Sequence, residues 1–407
     1  MEKCQIEEIL KDTAYVRTGG SKEEQACAMY LKELCARMNL DVWLEGFEVD
    51  LAHMHKAHLW IDGEEIACKG YLCAGCGDVE APLYYLTNKD TYSLKQCKGK
   101  IVLLDERVGY WMFQDLIEHG AVGFITYDGN VHFADEDIDQ RELRSYISNG
   151  RKLPGVNINA KKAVEIIHSG AQKARILLEQ TEYKGCSYNV VAELPGEVDE
   201  WIVVNAHYDT TELSSGAYDN MSGCIGALGV AEAFCGRKHR YGLRFIWHGS
   251  EEKGLLGSKA YCIEHEKDLH KIVLNINMDM IGCIMGRFAA ICTAEEKLVH
   301  YIQYMAAELG MGMDAKDGVR SSDSTPFADK GIPAVSFARY APSHTAMIHN
   351  RYDTWKVMSP KQLEKDIAFI VAFTERMATA KDCPVTREIP EKMREKLDVY
   401  LNRKRAK

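Results

Sequence analysis

From Ser187 onward the chain alternates short apolar runs with segments of helical spacing, and this alternation constrains its fold more than any other feature. Trp201–Ala206, Leu243–His248, Ile272–Met280 and Ile332–Ala338 are apolar, and each is short enough for a buried strand. Between them, Gly223–Phe234 and Gly254–Glu264 read as helices. Parallel strands need crossover connections, and helices in those connections cover both faces of the sheet. The expected class is therefore α/β, a mostly parallel mixed sheet sandwiched by helices. Such sheets bind ligands outside the carboxyl ends of their strands, so chemistry is expected just after each apolar run.

The 407 residues exceed one ordinary hydrophobic core, so more than one body is expected. Ser21-Lys-Glu-Glu24 has the form of a capping box, and Ala26, Tyr30, Leu34 and Met38 follow at helical spacing, which predicts a helix from near Lys22. Val42–Val49 then reads as a strand. Residues 55–180 change character: Lys98–Leu104 and Gly120–Tyr127 read as strands around a helix over Phe113–His119. A discontinuous main domain, 1–54 with 181–380, is thus expected to carry a smaller strand-and-helix insert, 55–180. Ser359-Pro360 opens the last helix of the main domain, running to Ala378, and 381–407 form a helical tail with Met393, Leu397 and Leu401 on one side.

Composition excludes several classes. The 50 Lys and Arg against 60 Asp and Glu give a net charge of −10 without a long basic stretch, so no nucleic-acid partner is expected. No apolar run reaches the length of a membrane span, so no membrane partner is expected either. The opening Met-Glu-Lys-Cys-Gln-Ile-Glu-Glu lacks the order of a secretory signal, which makes the cytoplasm the expected location. Many of the 14 cysteines sit in apolar patterns, among them Cys27, Cys35, Cys224, Cys262 and Cys283, and read as reduced small hydrophobes. Cys73-x-x-Cys76, with Cys68 nearby, lacks a second ligand pair at zinc-site spacing.

The strand ends carry the chemistry. His207-Tyr-Asp209 places a histidine and a carboxylate on one face of extended chain, where the acid can accept the proton of the ring nitrogen that a metal does not use. Asp219 lies just before a small-residue helix, where it serves equally as an N-cap. Glu251-Glu252 sets two adjacent carboxylates after a buried strand, costly without a positive charge between them. Their side chains diverge, so one can bind metal while the other handles a proton. Asp279 ends an apolar strand, and His349 precedes the closing helix. Two histidines and three carboxylates as ligands, with a fourth carboxylate to spare, suit two divalent ions bridged by one carboxylate.

In order and spacing, His207-Tyr-Asp209, Tyr218-Asp219-Asn-Met-Ser-Gly223, Glu251-Glu252-Lys-Gly-Leu-Leu-Gly-Ser258, Asp279 and His349 resemble the motif set of the M28 zinc aminopeptidases, over roughly 12–50 and 187–380. Lys98-Gly-Lys-Ile-Val-Leu-Leu and Glu118-His-Gly-Ala-Val-Gly-Phe-Ile are similar to the protease-associated domain found inserted in such peptidases. The resemblance implies two zinc ions per chain, one held by His207, Asp219 and Asp279 and the other by Asp219, Glu252 and His349; manganese or cobalt suit the same donors. It further implies Glu251 as general base toward a metal-bridging water, Asp209 as the residue orienting His207, and a cis bond between Asp219 and Asn220. The implied activity is release of N-terminal residues from peptides with a free N-terminus.

The chain departs from the family pattern at Ser324, where histidine is usual, and in Gly318-Val-Arg320-Ser-Ser, where some members place a tyrosine that stabilises the oxyanion. Arg320 and Tyr340 are the candidates to take the place of that tyrosine. Other readings are a carboxypeptidase with Arg320 or Arg339 clamping the terminal carboxylate, a glutaminyl-cyclase-like relative, and a catalytically silent peptide-binding protein. Oligomeric state and first-pocket preference stay open at this level.

Overall fold

The computed structural model describes residues 2–405 apart from 106, 133, 135 and 136. The chain divides into two compact units, 1–47 with 186–407 and, separately, 48–185. The sequence placed these junctions at 54/55 and 180/181, which fall inside the strands Asp41–Ile61 and Lys173–Leu194. Extended backbone runs through both points, so no loop or linker composition marks them.

In the first unit, Tyr241–His248, Val198–His207, Ile272–Met278 and Ala334–Tyr340 lie side by side in that order, all parallel. Arg287–Thr293 adds antiparallel to Ala334–Tyr340, with Asp314–Asp317 parallel beyond it. On the opposite side, residues 190–194 pair antiparallel with Tyr241–His248. The sheet is therefore mixed and mostly parallel, with helices on its faces. Alternate residues of one strand feed different cores: Ile202, Val204 and Ala206 join the large cluster that includes Ile225, Leu228 and Phe373, whereas Val203 joins Ile246, Tyr261 and Phe327. Burial on both faces explains why these strands read as continuous apolar runs.

The helix Ser222–Phe234 lies close against the strand Ile272–Met278. A Cβ on Gly223 would stand 2.3 Å from the Met278 carbonyl oxygen, so the small-residue run is a packing requirement. Ser21 Oγ accepts the Glu24 N–H at 3.0 Å at the start of Lys22–Arg37, and Ser359 Oγ accepts the Gln362 N–H at 3.2 Å at the start of Pro360–Ala378. The closing helix Glu391–Tyr400 buries Met393 and Leu397 against Ile389, Ala328 and Ala334. Cys27, Cys35, Cys224, Cys262 and Cys283 are all buried.

The second unit has its own parallel strands, Gly77–Leu86, Ile101–Leu104, Gly123–Asp128 and Gly155–Asn159, in that order, with Lys69–Gly70 antiparallel at the edge. Val102 and Leu104 face one hydrophobic cluster, Ile101 and Leu103 another. Among the described residues no helix is long and apolar enough to cross a membrane.

Candidate metal centre

The four parallel strands of the first unit deliver one side-chain group each from their carboxyl ends. His207 closes Val198–His207, with Asp209 two residues on. Glu251 and Glu252 follow Tyr241–His248, Asp279 follows Ile272–Met278, and His349 sits in the loop after Ala334–Tyr340. Asp219 comes from the turn Ala217–Met221 that enters Ser222–Phe234, and its bond to Asn220 is cis.

Two sets of donor atoms converge within this group. His207, Asp219 and Asp279 each offer a ligand atom within 4.8 Å of the others, and so do Asp219, Glu252 and His349. Asp219 belongs to both: its Oδ1 is 3.2 Å from His207 Nε2 and its Oδ2 is 3.1 Å from His349 Nε2. His349 Nε2 is 2.9 Å from Glu252 Oε1, and His207 Nε2 is 3.9 Å from Asp279 Oδ1. Two ligand atoms on a tetrahedral zinc, each about 2.0–2.1 Å from it, stand roughly 3.3 Å apart. The observed separations bracket that value, and the mix of imidazole and carboxylate suits zinc, so the residues present fit the group.

The electrostatics point the same way. Burial by itself would push the His207 imidazole down, yet Glu251, Asp209 and Asp219 outweigh it and hold the ring well above its ordinary value. His349 is likewise raised against its burial, by Glu252 and Asp219. Burial drives the Glu251 carboxyl well above the usual carboxylate range, with Glu252, Asp323 and Asp279 adding to it and His207 opposing. Burial also raises Asp279, against the nearby Arg320 guanidinium. Asp219 alone is pulled far down, because its hydrogen bonds to both histidines overcome its burial. Without added positive charge the cluster is an excess of buried acids sharing two imidazolium protons, the imbalance that divalent cations relieve.

Buried groups around the cluster fix its backbone. Asp209 Oδ1 is 3.4 Å from His207 Nδ1, an ion-pair separation, while its two oxygens accept the N–H groups of Glu251 at 2.9 Å and Glu252 at 3.1 Å. Asp353 accepts the N–H groups of Tyr218 at 2.8 Å and Asp219 at 3.1 Å. Asn220 donates to the Met278 carbonyl at 2.9 Å and accepts from Met280 N–H at 3.0 Å, tying the Asp219 turn to the end of the Asp279 strand. Sequence reasoning gave Asp353 and Asn220 no role, since their partners are backbone groups far away in the chain.

The departures from the family pattern resolve into local bonding. Ser324 is buried, and its hydroxyl bonds those of Ser336 at 2.8 Å and Ser322 at 3.0 Å. Arg320 lies against Asp279, 3.4 Å from its Oδ2 and 3.2 Å from its carbonyl, and donates to the Tyr340 hydroxyl. Arg339 is committed elsewhere, in a bidentate pair with buried Asp366 at 2.8 and 2.6 Å and a bond to the Gly286 carbonyl.

The chain is similar to several known aminopeptidases. Aminopeptidase YwaD of Bacillus subtilis is 29% identical over 340 residues, 79% of this chain and 71% of that protein. Leucine aminopeptidase 2 of Trichophyton equinum is 33% identical over 126 residues, 30% of this chain, so the chain spans only 26% of that relative's length. A solved zinc aminopeptidase from Bacillus subtilis shares the fold, with a TM-score of 0.76 at 22% identity over 95% of this chain and 98% of that one. Residues 189–374, which carry every side chain of the two donor sets, match Peptidase family M28.

Proposed function

We propose that the protein is a metal-dependent aminopeptidase holding two divalent cations, zinc in the first instance, through His207, Asp219 and Asp279 and through Asp219, Glu252 and His349. The observation that carries this reading is the placement of Asp219, whose two oxygens face different histidines in two donor sets. The relatives support it: those named above are called aminopeptidases, and one is described as a zinc enzyme. Bound cations would supply the positive charge that polarises a peptide carbonyl and acidifies water.

The chain's own residues do the rest. Glu251 stands half-buried beside the donor sets, where burial raises its affinity for a proton, so it can take a proton from water and return it to the departing amine. Asp209 holds the Glu251 and Glu252 amides, and thus the divergence of the two side chains into separate roles. A carboxypeptidase reading is disfavoured because Arg339 is spent on Asp366 and Arg320 on Asp279 and Tyr340. The parallel strands of residues 48–185 are compatible with a protease-associated-like insert.

Replacement of Glu251 by Gln tests the assignment. It keeps size and removes the proton acceptor, so bound metal should stay and turnover should fall by about 10²–10⁴-fold. A variant with near wild-type turnover would remove Glu251 from the mechanism.

A further inference from the structure

Glu24 lies outside the segment that matches the family, in the first turn of Lys22–Arg37, and is 1% exposed. A glutamate in this position of a capping box ordinarily turns back to the N-cap amide. Here the Ser21 N–H is accepted by the Thr18 carbonyl at 3.0 Å, and the Glu24 carboxylate turns inward. Its Oε1 accepts the Ser250 N–H at 2.8 Å, the Ser250 hydroxyl at 3.1 Å and the Ser187 hydroxyl at 2.8 Å, while Oε2 accepts the Gly20 N–H at 2.7 Å.

Ser250 needs such a hold. Its φ of +54° lies in the left-handed region, unusual for a residue with a side chain, and it immediately precedes Glu251. The surroundings are closed on both sides. A Cβ on Gly249 would stand 2.8 Å from Glu24 Oε1, and one on Gly19 would stand 2.4 Å from Ser250 Oγ. With Asp209 taking the next two amides, three consecutive N–H groups, 250 to 252, are held by two buried carboxylates from different parts of the chain.

We propose that Glu24 is a positioning residue for Glu251: by pinning Ser250 it sets the direction in which the Glu251 side chain leaves its loop. The inference rests on the aminopeptidase reading. His207, Asp219, Asp279 and His349 stand on other elements, and Glu252 lies one residue further from Ser250 than Glu251 does, so loss of Glu24 should disturb the proton carrier most and spare the metal donors.

The test compares Glu24→Ala and Glu24→Gln with the wild-type full chain. Gln keeps one acceptor for Ser250 but sets an amide NH₂ against the Gly20 N–H. Amide hydrogen exchange over residues 249–253 should rise about tenfold or more in Glu24→Ala and less in Glu24→Gln. On peptide substrates, kcat should fall on the order of 10²-fold in Glu24→Ala and less in Glu24→Gln, with KM within about threefold and bound metal unchanged. Adding Glu24→Ala to Glu251→Gln should cost nothing further, because both act through one group. Unchanged exchange in the loop, unchanged kcat, or a loss that merely tracks folded fraction or metal content would overturn the proposal. If Glu24→Ala does not fold, Glu24→Gln carries the same comparison. A wild-type protein without aminopeptidase activity would refute the functional reading itself, and loop exchange would still decide whether Glu24 holds Ser250.

Discussion

Asp353 Oδ2 accepts the backbone N–H of Asp219 at 3.1 Å, so the carboxylate shared by the two donor sets is itself held from behind by a second, fully buried carboxylate. The other Asp353 oxygen takes the Tyr218 N–H, and both bonds require acceptors. Asp353→Asn turns one acceptor into a donor facing a backbone N–H. Metal affinity should fall about 10–100-fold with the fold retained, the usual cost of a lost supporting bond. Titration with zinc against a competing chelator measures it, and an unchanged affinity would deny Asp353 this role.

Sharing of Asp219 makes a stoichiometric prediction. Asp279→Ala and His349→Ala each remove a ligand from one donor set, whereas Asp219→Ala removes one from both. Metal analysis after dialysis should find two equivalents in the wild type, close to one in each of the first two variants, and the lowest content in Asp219→Ala. Equal losses in all three variants would mean a single site.

The cluster's titration predicts how stability depends on pH when chelator keeps metal away. Burial, with Asp219 adding, pushes Asp353 up to about 7, and burial pushes Asp323 to about 7 and Glu24 to about 8. Between the ordinary carboxyl value near 4 and these raised values, the native state binds more protons than the unfolded chain, so stability falls as pH rises. His207 and His349 add stability that is complete below about 6.5 and is lost as pH climbs through their raised values. The midpoint of thermal unfolding in chelator should therefore drop steadily from pH 6 to pH 9. With zinc present the decline should be smaller, because cations take the place of the protons and bind more tightly as pH rises. Parallel curves with and without zinc would contradict the assignment.

Much of this was legible in the sequence because parallel strands buried on two faces write themselves as apolar runs. Trp201–Ala206 and Leu243–His248 sit inside the observed strands Val198–His207 and Tyr241–His248, and the helix expected near Lys22 begins there. The rule that ligands lie after strand ends pointed to the histidines and acids, and the family resemblance sorted them into the two sets that share Asp219. The strand Arg287–Thr293 and the helix Glu296–Glu308 were not foreseen. Gly286 precedes the strand and Gly310 follows the helix, yet neither element carries a motif of the site. Glu24, Asp353 and Asp366 escaped for a different reason: each acts on groups distant in sequence, a relation that no local spacing encodes.

Arg339 and Asp366 give a stability prediction free of metal chemistry. Arg339→Met leaves Asp366 buried without its cation, which should cost about 3–5 kcal/mol in urea unfolding. Metal content and the end of the peptide that is attacked should not change. Loss of cleavage in a folded variant would return Arg339 to the substrate site.

Cleavage of one mixed peptide pool, read by mass spectrometry, tests the central claim most directly. The pool is offered with free and with acetylated N-termini, each with and without chelator. Loss of N-terminal residues only from free-amine peptides, abolished by chelator and restored by zinc, is the expected result. Trimming from the carboxyl end of both pools, or cleavage that ignores chelator, would contradict a metal-dependent aminopeptidase built on Asp219 and Glu251.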